Sequence, residues 1–376
     1  MSYTDILSRL ISYKSVSPSD DGAINYIKDL LEKAGFRCHV QIFGKDEEQT
    51  TNLYAEYGDK GANLCFAGHV DVVPAGLEES WKYPPYIMTT QEDRIYGRGV
   101  VDMKGALACM IEAGLDHARA KSREKLSFLI TSDEEGSAEF GTRRMLEWMQ
   151  DNGHKIDFAI IGEPTCDEEF GDIIKVGRRG SINFALEVRG EQGHVAYPEK
   201  AQNPHKNMVK ILSALQNYDI DMGDAFFAKS NLEITSVDTN NSTTNLIPSR
   251  TKAKFNIRCS GAKKPSQIIQ EIENMCSAIT QDFDLKYKIS ALPFLAEMVE
   301  FTEIFQKIVI SETGSDGSFG TSGGTSDARF IKDYCPLLEF GLLNETAHKV
   351  DENTKITHLQ KLYNVYSRAI KSFHRI

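Results

Sequence analysis

Ala67 to Asp71 reads AGHVD, and Gly97 to Gly105 reads GRGVVDMKG. Each stretch begins where an apolar run gives way to glycine and polar residues. That is how the C-terminal edge of a parallel sheet looks in sequence, and ligands of open α/β sheets bind outside that edge. The pair predicts that His69 and Asp102 face one cleft. Working outward, the acidic pair Glu134 and Glu135 follows LSFLITSD, Glu163 follows FAIIG, and His348 follows LLEFGLLNETA. Two imidazoles and four carboxylates suit two zinc-like ions, with one carboxylate bridging and one left over as a base. A lone histidine after a strand is usually a structural hydrogen bonder, and a lone Asp in a glycine-rich turn usually makes only the turn. The shared placement on one edge is what points to a two-metal hydrolase.

The 376 residues suffice for two domains with separate cores. Apolar residues at 41% and charged residues at 26% are globular values. The net charge of -11 provides no basic field for nucleic acid or an anionic membrane, so neither is expected as a partner. The N-terminal MSYTDILSRLISYKSVS is amphipathic and too polar for a signal segment, no apolar run approaches a membrane span, and a cytoplasmic location is expected. Seven scattered cysteines without CxxC spacing fit reduced thiols better than a disulfide framework.

Helical periodicity at 4–14 and 22–34, the latter closing at Gly35, precedes the strand-like FRCHVQIF, TNLYAEY and NLCFAGHVDVV. A helix is expected over Met103 to Arg119, lying close on the sheet because Gly105, Ala106, Ala108, Ala113 and Gly114 leave room. LSFLITS, GTRRMLEWMQ and FAIIGEP continue the alternation of strand and helix. The fold class is therefore α/β, a doubly wound, mixed and mainly parallel sheet. From about 177 the pattern becomes βαββαβ, the order of a ferredoxin-like α+β unit with four antiparallel strands and two helices on one face. The first pattern resumes near 292. Residues 1–176 and 292–376 are thus expected to form a discontinuous metal-binding catalytic domain, with 177–291 inserted as a lid and dimerisation domain. No phosphate-binding glycine fingerprint is present.

GHVDVV, GRGVVDMKGA, SDEEGSAEFGT, IIGEPT, GHVAYP, NLIPS, GGTSDARF and HKVDE, in that order, resemble the co-catalytic zinc peptidases and deacylases that include aminoacylase, acetylornithine deacetylase and bacterial glutamate carboxypeptidase. The resemblance implies two zinc ions per subunit, with cobalt able to substitute. It makes Asp102 the bridging carboxylate, with His69 and Glu163 at one metal and Glu135 and His348 at the other. Glu134 becomes the general base, and Asp71 the carboxylate that orients the His69 imidazole. A nonproline cis peptide is implied at Asp102-Met103. His194 is implied to reach the partner's site in a homodimer and donate to the oxyanion, with Asn245 beside it.

The implied substrate is a small N-acyl diamino acid, a secondary amide carrying carboxylates. Arg178 and Arg258 suit bidentate pairing with carboxylates, and Ser181 and Asn344 suit further hydrogen bonds. Gly324 and Thr325, in a glycine-rich turn before the helix-like ARFIKDY, suit an anion nest at a helix start. A binding protein that kept the fold but lost hydrolysis would show a gap among ligands or base, and none is visible. Relatives with another acyl group or a dipeptide substrate keep the same chemistry.

Overall fold

The computed structural model describes residues 2–375. One unit runs to Val176 and resumes with Ala296–Gly320 and from Ser326 onward, and the other holds Gly177–Leu295 and Thr321–Thr325.

The first unit is built on an eight-stranded sheet ordered Arg37–Phe43, Thr50–Tyr57, Glu124–Thr131, Lys60–His69, Phe158–Ile161, Leu337–Glu339, Ile173–Lys175 and Ser318–Gly320. Lys60–His69 pairs in parallel with Glu124–Thr131 on one side and Phe158–Ile161 on the other, and Leu337–Glu339 extends the parallel block. Phe158–Ile161 is buried throughout and Glu124–Thr131 over its last six residues, as strands covered on both faces must be. The Lys104–Arg119 helix packs against Tyr3–Ile11 and Ile356–Phe373, and its apolar side chains join the main core on nearly every face. The expected close approach is present. A Cβ added at Gly105 would meet the Val100 carbonyl at 2.3 Å, and one at Gly114 would meet the Phe128 ring at 2.6 Å.

Local signals place the first helices. Ser2 and Asp5 form a reciprocal capping box on Tyr3–Ile11. Ala23–Lys33 is followed by Gly35 at φ 97°, the left-handed position that glycine takes without a Cβ clash. Several three-residue strands, among them Thr89–Gln91, Arg94–Tyr96 and Ile173–Lys175, are too short to show a period and were not expected.

In the second unit the strand order is Asn231–Asp238, Arg250–Cys259, Gly180–Arg189, Phe283–Ala291, all antiparallel. Ile182, Phe184, Leu186 and Val188 alternate inward along Gly180–Arg189. They meet Met208, Ile211 and Leu215 of Pro204–Gln216 and Ile268, Ile272 and Cys276 of Pro265–Ser277, forming a core of their own.

Gly114→Val should lower stability by about 1–3 kcal/mol through overpacking on Phe128. The expected readout is an earlier urea midpoint with an unchanged slope.

Candidate metal centre

Parallel pairing of three neighbouring strands makes His69, the Glu134-Glu135 pair and Glu163 leave the sheet at one edge. Asp102 enters from the turn before the Lys104–Arg119 helix, where the Asp102-Met103 peptide is cis. His348 arrives on a loop near the end of the unit, with its backbone in the left-handed region at φ 62°.

These side chains converge. His69 Nε2 lies 3.3 Å from Asp102 Oδ1 and 3.5 Å from Glu163 Oε1. His348 Nε2 lies 3.2 Å from Asp102 Oδ2 and 2.7 Å from Glu135 Oε1. Asp102 therefore turns one oxygen to each imidazole, the arrangement a bridging carboxylate requires. Ligand atoms of His69, Asp102 and Glu135 all fall within 4.8 Å of one another, and so do those of His69, Glu134 and Glu163. Glu134 thus stands beside the His69 and Glu163 pair.

The residues fit divalent cations. His69 Nε2 and Asp102 Oδ1 are buried and make no hydrogen bond among the described residues. Leaving such groups unsatisfied costs about 1–3 kcal/mol each, and a cation between them would satisfy both. An all N and O donor set is what zinc and its neighbours accept. Electrostatics agrees. Burial opposes the charged form of His69, yet its contacts with Asp102 and Glu163 hold its pKa well above the imidazole range. Contacts with Asp102 and then Glu135 push His348 up to about 10. Burial, then the charge of Glu163, drives Glu134 well above the carboxylate range. Carboxylates are in surplus, and the site is built to hold positive charge.

Asp71 contacts more than the His69 imidazole. The nearest partner of His69 Nδ1 is the Asp71 backbone carbonyl at 2.9 Å, while the Asp71 carboxylate is 3.5 Å away. That carboxylate also accepts from the backbone N–H groups of Glu134 at 3.3 Å and Glu135 at 3.0 Å. It orients the acidic pair, because a strand-edge turn leaves those amides without ladder partners. Its own pKa rises to about 6, mainly through burial.

Glu352, four residues past His348 within HKVDE, is a functional residue that sequence reasoning left without a role. Its carboxylate is fully buried and accepts from the backbone N–H groups of Gly99 at 2.8 Å, Val101 at 2.8 Å and Asp102 at 3.2 Å. It also pairs with Arg98 at 2.8 Å, and Arg98 donates to the Lys349 carbonyl at 3.3 Å. One buried ion pair thus ties the turn bearing Asp102 to the loop bearing His348. Lys104, equally buried, donates to the Leu10 and Tyr13 carbonyls at 2.9 and 3.0 Å, and burial lowers its pKa to about 7.

Residues 65–372 match the profile of Peptidase family M20/M25/M40. The chain belongs to that family. It is 51% identical over 372 residues, covering 98% of this chain and 95% of the relative, to succinyl-diaminopimelate desuccinylase of Orientia tsutsugamushi (strain Boryong). Its fold is similar to an M20 family metallo-carboxypeptidase from Sulfolobus solfataricus, with TM-score 0.78 and 18% identity over 100% of this chain and 99% of the other. It is also similar to a dinuclear metal-binding M20 peptidase from Bacillus subtilis, with TM-score 0.69 and 16% identity over 99% and 98% of the two chains.

The second unit of this M20/M25/M40 chain carries most of the residues expected to bind substrate. His194 and Asn245 come together through the short ladder that pairs Gly193–His194 with Leu246–Ile247, and the Val195 N–H donates to the Asn245 carbonyl. His194 Nδ1 accepts from the Ala196 N–H at 3.0 Å, so in the neutral ring the proton sits on exposed Nε2. Ser181 and Arg258 are cross-strand partners. Arg178 is buried and donates to the Gly324 carbonyl at 3.1 Å. The helix expected after this turn is one turn long, Ala328–Ile331, so no extended helix dipole backs an anion nest at Gly324 and Thr325. In the first unit, the Asn344 side-chain amide donates to Asp167 at 2.7 Å, a neighbour that sequence spacing could not foresee.

Glu352→Gln should weaken cobalt(II) affinity about 10- to 100-fold, as loss of a residue orienting the ligands does. It should also cost about 3–5 kcal/mol of stability by stranding buried Arg98. Metal titration and chemical denaturation would read the two effects separately.

Proposed function

We propose that this chain is a dimetal amidohydrolase that cleaves N-succinyl-LL-2,6-diaminopimelate to succinate and LL-2,6-diaminopimelate, a step of lysine and diaminopimelate synthesis. The observation that carries the chemistry is Asp102, whose two carboxylate oxygens face His69 and His348 at 3.3 and 3.2 Å. The acyl group and amine are supported by the relative that is 51% identical across 98% of this chain.

In this reading His69, Glu163 and Asp102 would hold one dication, and Asp102, Glu135 and His348 the other. The ions are zinc, with cobalt able to replace it. Bound there, the pair would supply Lewis acidity. Glu134 takes the water's proton and returns it to the leaving amine. Its position beside His69 and Glu163, and the Asp71 clamp on its backbone N–H, support that role. The protein works as a cytoplasmic homodimer, without nucleic acid or membrane partners. His194 of one subunit donates an Nε2–H hydrogen bond to the oxyanion in the other, assisted by Asn245. Arg178 and Arg258 pair with substrate carboxylates, and Ser181, Gly324, Thr325 and Asn344 complete the recognition set.

Chelator-stripped protein should release no amine from succinyl-diaminopimelate and should regain that activity when zinc is returned. Acetylornithine, run alongside, should stay near background. Zinc-restored turnover of acetylornithine alone would overturn the acyl and amine assignment while keeping the metal chemistry.

Glu134→Gln should lower kcat about 10²- to 10⁴-fold with metal content unchanged. His194→Ala should also be impaired, and re-dimerised mixtures of the two variants should recover up to about a quarter of wild-type activity, because each mixed dimer assembles one intact site. Failure of the mixture to exceed either variant would place His194 outside the partner's site.

A further inference from the structure

Away from the metal centre, the first unit holds a cavity of about 390 Å³ beside the start of the Ile356–Phe373 helix. Arg94, Lys355 and Lys361 line it together with His358, whose ring stacks on Phe170 at 4.9 Å and 14°. All three cations are half-buried. The hydrogen bonds of two of them go to neutral acceptors, Arg94 to Asn353 Oδ1 and Lys361 to the Thr313 carbonyl. Like charges gathered in a concave, partly desolvated wall raise a field that attracts an anion.

His358 registers that field. Burial, and then the charges of Lys355, Lys361 and Arg94, push its pKa down to about 4, with Asp93 working weakly in the other direction. The acidic groups on the wall, Glu168, Glu169 and Glu345, are exposed, so solvent and salt screen them more than the cations. The helix that opens here spans 18 residues and has no side-chain cap, so its first-turn amides add positive potential on the same side.

We propose that this cavity binds a small dianion, of the phosphate or dicarboxylate type, held by Arg94, Lys355 and Lys361 against the Phe170-His358 stack. Its volume suits a small metabolite. Thr346 and Asn353, also on its wall, close the neck of a loop through hydrogen bonds of 2.7 and 3.1 Å. His348 and Glu352 lie on that loop between them. A bound dianion would therefore abut the base of the segment that carries a metal-site histidine, and its occupancy would bear on how firmly that segment is held.

The test follows the imidazole resonances of the nine histidines in zinc-loaded, isotope-labelled protein during titration with sodium phosphate and, separately, with malonate. His358 should shift saturably, and its titration midpoint should rise by about 1–3 pH units, because an anion nearby favours the imidazolium. Lys355→Ala and Lys361→Ala should each weaken that saturation about tenfold, the loss expected for one charge-assisted hydrogen bond, with unchanged thermal midpoints. Saturation by phosphate alone would mark the site for phosphate-bearing ligands, and by malonate alone for dicarboxylates, and either result supports the proposal. No saturable change at His358 with either anion in the wild-type protein overturns it, as does saturation equal to wild type in a variant combining Lys355→Ala and Lys361→Ala.

Discussion

Five carboxylates at one sheet edge repel one another, and the first unit is arranged around containing that repulsion. Two unit charges about 4 Å apart interact by ~4 kcal/mol even at an effective dielectric near 20. Asp71, Asp102, Glu134, Glu135 and Glu163 are packed around two imidazoles. The contacts of Asp102 and Glu163 hold the His69 pKa up against burial, and burial together with the charge of Glu163 raises that of Glu134, so both groups favour keeping a proton. Dications placed among these groups would replace the protons as the source of positive charge, and Asp102 is turned so that it can serve two at once.

Holding such groups in place needs donors that cannot move away. Backbone amides provide them. Asp71 accepts from the amides of Glu134 and Glu135, and Glu352 accepts from three amides of the turn that presents Asp102. Asp133 does the same for the following loop, accepting from Ala138 at 3.1 Å and Phe140 at 3.0 Å. Each is a buried carboxylate that fixes backbone N–H groups, and for Asp71 and Glu352 those amides belong to residues of the cluster or of the turn that carries one. The Arg98 and Glu352 pair adds a link between two segments about 250 residues apart in the chain. A buried pair of this kind contributes little net stability beside an apolar replacement, so its value lies in position.

The second unit solves a different problem. Its four strands and two helices enclose a separate apolar core, and polar residues alternate along the outward face of its strands. Because that core is separate from the eight-stranded sheet, the second unit's strands and loops can vary without disturbing the parallel strands that aim the cluster. His194 illustrates the economy of such a site: a single backbone N–H on Nδ1 selects the tautomer that leaves Nε2 as a donor.

Much of this was legible in the residues alone. Apolar runs ending in His69, Glu134-Glu135 and Glu163 mark strand ends, because a strand buried on both faces must be apolar until it leaves the sheet. The alternation in Gly180–Arg189 marks a strand with one buried face, for the same reason of period two. Tertiary structure decided what depends on distant partners. That the Asp71 carboxylate serves the backbone of Glu134 and Glu135 as well as facing His69 follows from the side-by-side register of two strands. That Glu352 holds Asp102 follows from a loop closure across the whole chain. The expected ARFIKDY helix is confined to Ala328–Ile331 and continues as hydrogen-bonded turns, the Tyr334 and Cys335 N–H groups both donating to the Ile331 carbonyl. Local periodicity reports burial, which each residue carries in its own side chain. The direction of a carboxylate depends on which amides the fold brings within 3 Å of it, and no stretch of sequence contains both ends of such a bond.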